Sequence, residues 1–281
     1  MNTLDLLKTG SNKLKKNKVL SSLLDSEILL SKVLDKTREE MLSNTENKIC
    51  LDQLKQYKKF ILRRSQKEPV AYILNKKEFW SRDFYVCKDT LIPRPETELL
   101  IDILLKVFKN KKISILDIGT GSGCILVTII KELVETKGIG IDISKKAISI
   151  AKINALAHQV SSRAKFIHKS LDSYFSQKFD LVISNPPYIE RREIKNLSDD
   201  IKKFEPIIAL DGGNDGLDLI KKVIYKTKQI LKIKGTLALE IGNGQFKEVS
   251  KLLLLNNFRI EYKIKDYKNN IRCIISKYLN K

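Results

Sequence analysis

The sequence predicts a mostly parallel, doubly wound α/β sheet with one reversed strand, preceded by a small helical domain. Three observations predict it. From Thr97 onward, short apolar runs alternate with helical-period segments, the pattern of repeated βα units. The last two runs are joined only by Tyr267-Lys268-Asn269-Asn270, too short for a parallel crossover, so they must pair antiparallel. Over residues 1–75 the apolar residues recur instead at helical spacing.

In that first segment Leu23, Leu24, Glu27, Ile28 and Leu30 to Leu34 mark one helix, and Thr37-Arg38-Glu39-Glu40 fits a capping box that opens the next. Leu51, Leu54, Tyr57, Ile61 and Leu62 form a further stripe, and Pro69 is placed to begin a final turn. These stripes are expected to form the core of a small bundle. Residues 76–92 turn aromatic and β-branched (Phe79, Trp80, Phe84, Tyr85, Val86) and predict a hairpin linker. Residues 93–281 form the third segment, with strands predicted at 113–118, 138–142, 165–168, 179–184, 235–241, 258–265 and 270–277. Asp211-Gly212-Gly213-Asn214-Asp215-Gly216 is a turn cluster, read as a plain loop or as the hinge of a lid.

A chain of 281 residues has room for one large domain and a small one, and 42% hydrophobic residues suffice for ordinary cores. No stretch has the length to span a membrane, and Met1-Asn2-Thr3-Leu4-Asp5 lacks the pattern of a leader, so a cytoplasmic protein is expected. Cys50, Cys87, Cys124 and Cys273 are scattered without C-x-x-C spacing, and the two histidines, His158 and His168, stand apart. No metal site, disulfide framework or Ser-His-Asp triad is expected from them. The net charge of +20 admits a nucleic-acid partner. Against that, Lys, Ile and Asn are abundant everywhere, and no basic cluster is interleaved with aromatics, so no stable nucleic-acid partner is expected.

Two corners carry chemistry. The apolar strand Phe179-Asp180-Leu181-Val182-Ile183-Ser184 stops at Asn185-Pro186-Pro187-Tyr188, because neither proline has an N–H for the ladder. An amide side chain, an unclaimed carbonyl and an aromatic ring at one stiff corner can hold a planar NH2 group. The alternative is a strand followed by a Pro-rich turn. The second corner, Leu116-Asp117-Ile118-Gly119-Thr120-Gly121-Ser122-Gly123, sets three glycines between a strand and the apolar helix from Cys124, so that a ligand can lie against bare backbone. Asp142 ends the next strand, about 20 residues on, where a carboxylate can bond ribose hydroxyls. The G-x-G-x-G spacing and the acid Asp117 favour S-adenosylmethionine, which has an amino-acid head and no phosphate, over a dinucleotide. A hydride-transfer enzyme, moreover, has no use for an NH2 clamp.

With these residues in place the chain resembles the HemK/PrmC family of protein-glutamine N5-methyltransferases. The resemblance runs through Leu24-Asp25-Ser26-Glu27-Ile28-Leu29-Leu30, Glu68-Pro69-Val70-Ala71-Tyr72-Ile73, Glu78-Phe79-Trp80 and Leu91-Ile92-Pro93-Arg94-Pro95-Glu96-Thr97-Glu98. It continues in Asn185-Pro186-Pro187-Tyr188-Ile189, Phe204-Glu205-Pro206 and Glu240-Ile241-Gly242. It implies a class I S-adenosylmethionine-dependent methyltransferase fold with a Rossmann-like seven-stranded sheet. It also implies, as substrate, the glutamine of the Gly-Gly-Gln motif in peptide chain release factors, recognised by residues 1–75. Cofactor contacts are then expected at Asp117, Ile118, Gly119, Thr120, Gly121, Asp142, Leu171 and Asn185. Substrate contacts are expected at Asn185, Pro186, Pro187 and Tyr188, with Asn185, Pro186 and Tyr188 catalytic and the protein a monomer. The family often has an aromatic residue after the third strand, beside the adenine; here Ser170-Leu171-Asp172 stands there, with Leu171 the best-aligned position. Asn-Pro-Pro-Tyr alone is shared with enzymes that methylate exocyclic amines of nucleic acids, which is the competing reading. A binding module without catalysis is a third, and has no need of both corners.

Overall fold

The computed structural model describes residues 2–174 and 177–279, so Met1 and Lys281, the ends of the expected segments, lie outside it. The chain divides into two compact units: the residues up to Lys76 with Ser198–Phe204, and Lys77–Leu197 with Glu205–Lys281.

The first unit holds α1 (Thr3–Lys16), α2 (Ser22–Leu34), α3 (Arg38–Ser43), α4 (Leu51–Ser65) and α5 (Val70–Leu74). Thr37 caps α3 with the predicted box: Glu40 N–H donates to its hydroxyl, and the Glu40 carboxylate accepts from Thr37 N–H. Pro69 stands at the N-cap of α5. The apolar stripes are only partly core. Leu29, Leu30, Tyr57 and Ile61 are buried, whereas Leu23, Leu24, Leu51 and Leu62 are exposed. The reason lies in α2, whose inward face includes three polar residues with partners. Arg64 Nε donates to Asp25 at 2.7 Å, Ser26 Oγ lies 2.6 Å from Tyr57 OH, and Arg38 Nη2 donates to Glu27 at 2.6 Å. Pairing of this kind makes burial of such groups tolerable.

Gly10 on α1 makes room for that network. A Cβ there would stand 2.0 Å from Tyr57 OH and 2.9 Å from Ser26 Oγ. Gly10→Ala gains about 1 kcal/mol of helix propensity but must displace a buried, bonded phenol, at about 1–3 kcal/mol. A net loss of stability is expected in urea denaturation followed by helix signal. An unchanged or raised midpoint would show that Tyr57 yields freely.

The second unit opens with a hairpin, β1 (Lys76–Phe79) and β2 (Arg82–Tyr85), turning through Trp80 and Ser81, both at positive φ. Then come α6 (Pro95–Val107), β3 (Ser114–Ile118), α7 (Cys124–Glu132), β4 (Lys137–Asp142), α8 (Lys145–Ala157), β5 (Ala164–His168) and β6 (Phe179–Ser184). The short α9 (Asp199–Phe204) is the segment grouped with the helical unit. After it follow α10 (Asp218–Ile230), β7 (Leu231–Glu240), α11 (Phe246–Leu255), β8 (Phe258–Lys265) and β9 (Ile271–Tyr278).

Seven strands form one sheet in the order β5-β4-β3-β6-β7-β9-β8, and only β9 runs against its neighbours. Each central strand sends alternate side chains to two cores. Ile115, Leu181 and Ile183 meet the side of α6, α7 and α8 with Phe79 and Phe84 of the hairpin, while Leu116, Ile118 and Val182 meet α10 and α11. Both faces are therefore covered, which is why these strands read as continuous apolar runs. β7 starts four residues before the predicted 235, through the exposed Lys232-Ile233-Lys234, with Lys234 at positive φ and a register irregularity between Phe179 and Leu181. Propensity alone does not foresee pairing through such a bulge. The topology reverses between β3 and β6, so the crevice for a ligand opens at their carboxyl ends. Among the described residues no helix is long and apolar enough to cross a membrane.

Candidate active site

The glycine turn leaves β3 with Gly119, Gly121 and Gly123 all at positive φ. They serve two purposes. A Cβ on Gly119 would meet nothing within 4 Å, and one on Gly121 only a backbone oxygen at 4.0 Å, so bare backbone faces open space. A Cβ on Gly123 would instead stand 3.0 Å from Ala151 Cβ, so that glycine lets α7 and α8 approach.

Beneath the turn, Asp117 is buried and accepts the Thr120 hydroxyl at 2.6 Å on Oδ2, while Oδ1 has no protein partner. Burial pushes its carboxyl up to about 7. Asp142 closes the next strand; its Oδ2 accepts Gly121 N–H at 3.0 Å and its Oδ1 accepts Ser144 N–H at 2.8 Å. Burial raises this carboxyl too, against those backbone bonds.

A cavity lies above. Ile118, Gly119, Gly121, Asp142, Leu171, Asn185 and Pro187 line it, with Ile141, Ile143, Ala147 and Leu219 as apolar walls. Asp117, Thr120, Pro186 and Tyr188 are not among its lining residues. Two further segments border it, Asp89-Thr90-Leu91 and Pro206 with Ile208 and Ala209. Glu205 ties them together: it accepts Arg94 Nη2 at 2.6 Å and Ile92 N–H at 3.1 Å. A largely apolar chamber with the Asp142 carboxylate beside open glycine backbone suits a nucleoside, and Asp89, Lys169 and Lys222 add charged groups to its lining.

The Asn-Pro-Pro-Tyr corner follows β6. Asn185 Nδ2 lies 3.4 Å from Thr97 Oγ1, and the Thr97 hydroxyl donates to Glu240 Oε2 at 2.6 Å. Among the described residues nothing donates a hydrogen bond to the Pro186 carbonyl. Tyr188 is engaged on one side. The Arg272 guanidinium sits 5.1 Å from its centroid and donates to its OH at 2.9 Å, while that OH lies 3.4 Å from Glu240 Oε1. Burial pushes the phenol up to about 12. Glu240 is wholly buried and its carboxyl is raised by that burial, with Thr97, Arg272 and Tyr188 pulling the other way. The Asp211–Gly216 loop is pinned to the same corner, since Gln245 Nε2 donates to both Tyr188 O and Gly216 O.

Residues 5–74 match the family model of the PrmC N-terminal domain, and residues 96–203 that of the methyltransferase small domain. A release factor glutamine methyltransferase of Clostridium acetobutylicum is 40% identical over 258 residues, which is 90% of this chain and 90% of that protein. The chain belongs to the release factor glutamine methyltransferase family. The enzyme of that name from Buchnera aphidicola subsp. Schizaphis graminum is 43% identical over 249 residues, covering 88% of this chain and 90% of its own. A solved methyltransferase from Pyrococcus furiosus superposes with a TM-score of 0.54 at 15% identity, over 73% of this chain and 92% of that one, and shares the class I fold. The chain is thus an S-adenosylmethionine-dependent protein-glutamine methyltransferase.

Sequence reasoning named Thr97, Glu205 and Glu240 only as parts of family motifs and passed over Arg272. One signal was present: Glu240 ends the otherwise apolar Leu237-Ala238-Leu239, where an acid has no place without partners.

Proposed function

We propose that this enzyme methylates the side-chain nitrogen, N5, of the glutamine in the Gly-Gly-Gln motif of a peptide chain release factor, and that Asn185 and Pro186 hold that nitrogen. One observation carries the assignment. The Asn185 NH2 is directed at Thr97, which leaves its oxygen for another donor, and the adjacent Pro186 carbonyl is likewise unclaimed among the described residues.

S-adenosylmethionine, when bound, supplies a methyl group on a sulfonium. Asp142 would bond its ribose, Gly119 and Gly121 would lie along it with Ile118, Asp117 and Thr120 would support its charged head, and Leu171 would wall the adenine. The amide nitrogen of glutamine is a weak nucleophile because its lone pair is delocalised into the carbonyl. Asn185 Oδ1 and Pro186 O accept its two hydrogens, turn the lone pair out of conjugation, and stabilise the positive charge that grows as N–C forms and C–S breaks. The extra proton leaves to water. Pro187 stiffens the corner, and Tyr188 supports the amide plane with the ring face away from Arg272. Residues 1–75 recognise the release factor, the 76–92 hairpin links them to the catalytic residues 93–281, and the protein works in the cytoplasm as a monomer.

Labelled S-adenosylmethionine offered with a release factor, its Gly-Gly-Gln glutamine-to-alanine variant, and ribosomal or duplex nucleic acid tests the substrate. Label is expected in the intact factor alone; equal label in the alanine variant or in nucleic acid would overturn the reading. A fragment beginning near Ile73 should keep affinity for S-adenosylmethionine and lose most activity on the intact factor. Full activity of that fragment would remove residues 1–75 from recognition.

A further inference from the structure

We propose that Thr97 and Glu240 are positioning residues for methyl transfer, forming a buried relay that fixes which face of the Asn185 amide meets the substrate. The proposal rests on the reading of Asn185 as the clamp.

An asparagine amide has two nearly isosteric orientations, exchanged by a half-turn about its last bond. Only one offers oxygen to a glutamine NH2; the other sets NH2 against NH2 and undoes the clamp. The backbone of the corner does not choose between them. Thr97 does, and Glu240 decides for Thr97. Glu240 ends β7, wholly buried; burial works against its charge, while the bonds from Thr97 and Tyr188 and the Arg272 guanidinium favour the carboxylate, which can only accept. The 2.6 Å contact to Oε2 therefore commits the single Thr97 hydrogen to Glu240, a short charge-assisted bond. Only lone pairs remain on Thr97 Oγ1, and at 3.4 Å they select the NH2 side of Asn185. The same carboxylate receives Tyr188 OH at 3.4 Å on its other oxygen, so both ends of the Asn185–Tyr188 corner converge on one buried charge.

The relay also acts on charge. A donor NH2 drawn toward an electron-rich hydroxyl leaves the amide oxygen more negative, because bonds in a chain polarise one another in a low-dielectric interior. That oxygen faces the nitrogen on which positive charge grows.

Thr97→Val keeps the shape and removes the hydroxyl, while Thr97→Ser restores it. In single-turnover methylation of intact release factor at saturating S-adenosylmethionine, Thr97→Val should slow transfer about tenfold, the worth of one orienting hydrogen bond, with cofactor affinity unchanged by calorimetry. Thr97→Ser should recover most of the rate. The double variant with Asn185→Ala should be no slower than Asn185→Ala alone, since Thr97 acts through Asn185. A wild-type rate in Thr97→Val, or a serine variant as slow as valine, overturns the relay. If Asn185→Ala itself turns over normally, the clamp fails and not merely the relay. Should the valine variant not fold, Glu240→Gln reads the same coupling. It keeps the volume but can present a donor to Thr97, so transfer should slow several-fold at unchanged cofactor affinity; an undiminished rate there also overturns the proposal.

Discussion

Asn185→Ala is expected to lower single-turnover methylation by about 10²–10³-fold, or ~2.7–4 kcal/mol, the cost of removing one preorganised partner of transition-state charge. Affinity for S-adenosylmethionine should change little, because Asn185 is one lining residue among many in a largely apolar chamber. Asn185→Asp discriminates further. A carboxylate keeps an acceptor near the substrate nitrogen, and its charge favours the developing cation. It also stabilises the sulfonium in the ground state, and only the difference accelerates transfer. The structure adds a cost on the far side. Aspartate has no NH2 to give Thr97, whose hydrogen is committed to Glu240, so oxygen would face a lone pair 3.4 Å away with a buried carboxylate behind it. The expected order of rates is Asn, then Asp, then Ala. Equal turnover of Ala and Asn at equal cofactor occupancy would reduce the corner to a turn.

The parts of this site that were legible in sequence are local ones. Pro186 and Pro187 end a strand by chemistry confined to their own backbone, and the glycines at 119 and 121 declare a turn at its first residues. The antiparallel pairing of the last two strands was legible for the same reason, since so short a connection leaves one geometry. Period-based reading also found the two-sided burial of β3 and β6. It failed where polar residues find partners far along the chain. Thr97 meets Glu240 across 143 positions and Arg94 meets Glu205 across 111, and no periodicity marks either pair. In α2 the failure was one of sign. Leu23 and Leu24 were expected in the core stripe, yet they stand at the surface, while Asp25, Ser26 and Glu27 are buried. A hydrophobic pattern cannot anticipate that Arg64, Tyr57 and Arg38 are waiting for them.

Asp142→Ala should weaken S-adenosylmethionine binding about 10- to 150-fold, ~1.5–3 kcal/mol, the range for losing a hydrogen bond to a charged group. The structure gives two routes to that loss. Asp142 lines the chamber, where its remaining lone pairs can take ribose hydroxyls, and it also anchors Gly121 N–H and Ser144 N–H. Removing it could therefore act by loosening the turn that carries Gly121. A 2′,3′-dideoxy analogue of the cofactor separates the routes. If Asp142 bonds the ribose directly, wild-type enzyme should lose affinity for the analogue and the alanine variant should bind analogue and cofactor alike. If the carboxylate only braces the turn, the analogue should cost both proteins the same. The fold itself should survive, because β4 is held by its own ladders to β3 and β5, with Ile141 buried beside Ile118. Thermal unfolding is expected to show a cooperative transition in the variant, while calorimetry reports the weakened binding. Unchanged affinity for S-adenosylmethionine in Asp142→Ala would take that residue out of the site and leave the floor of the chamber without its ligand group.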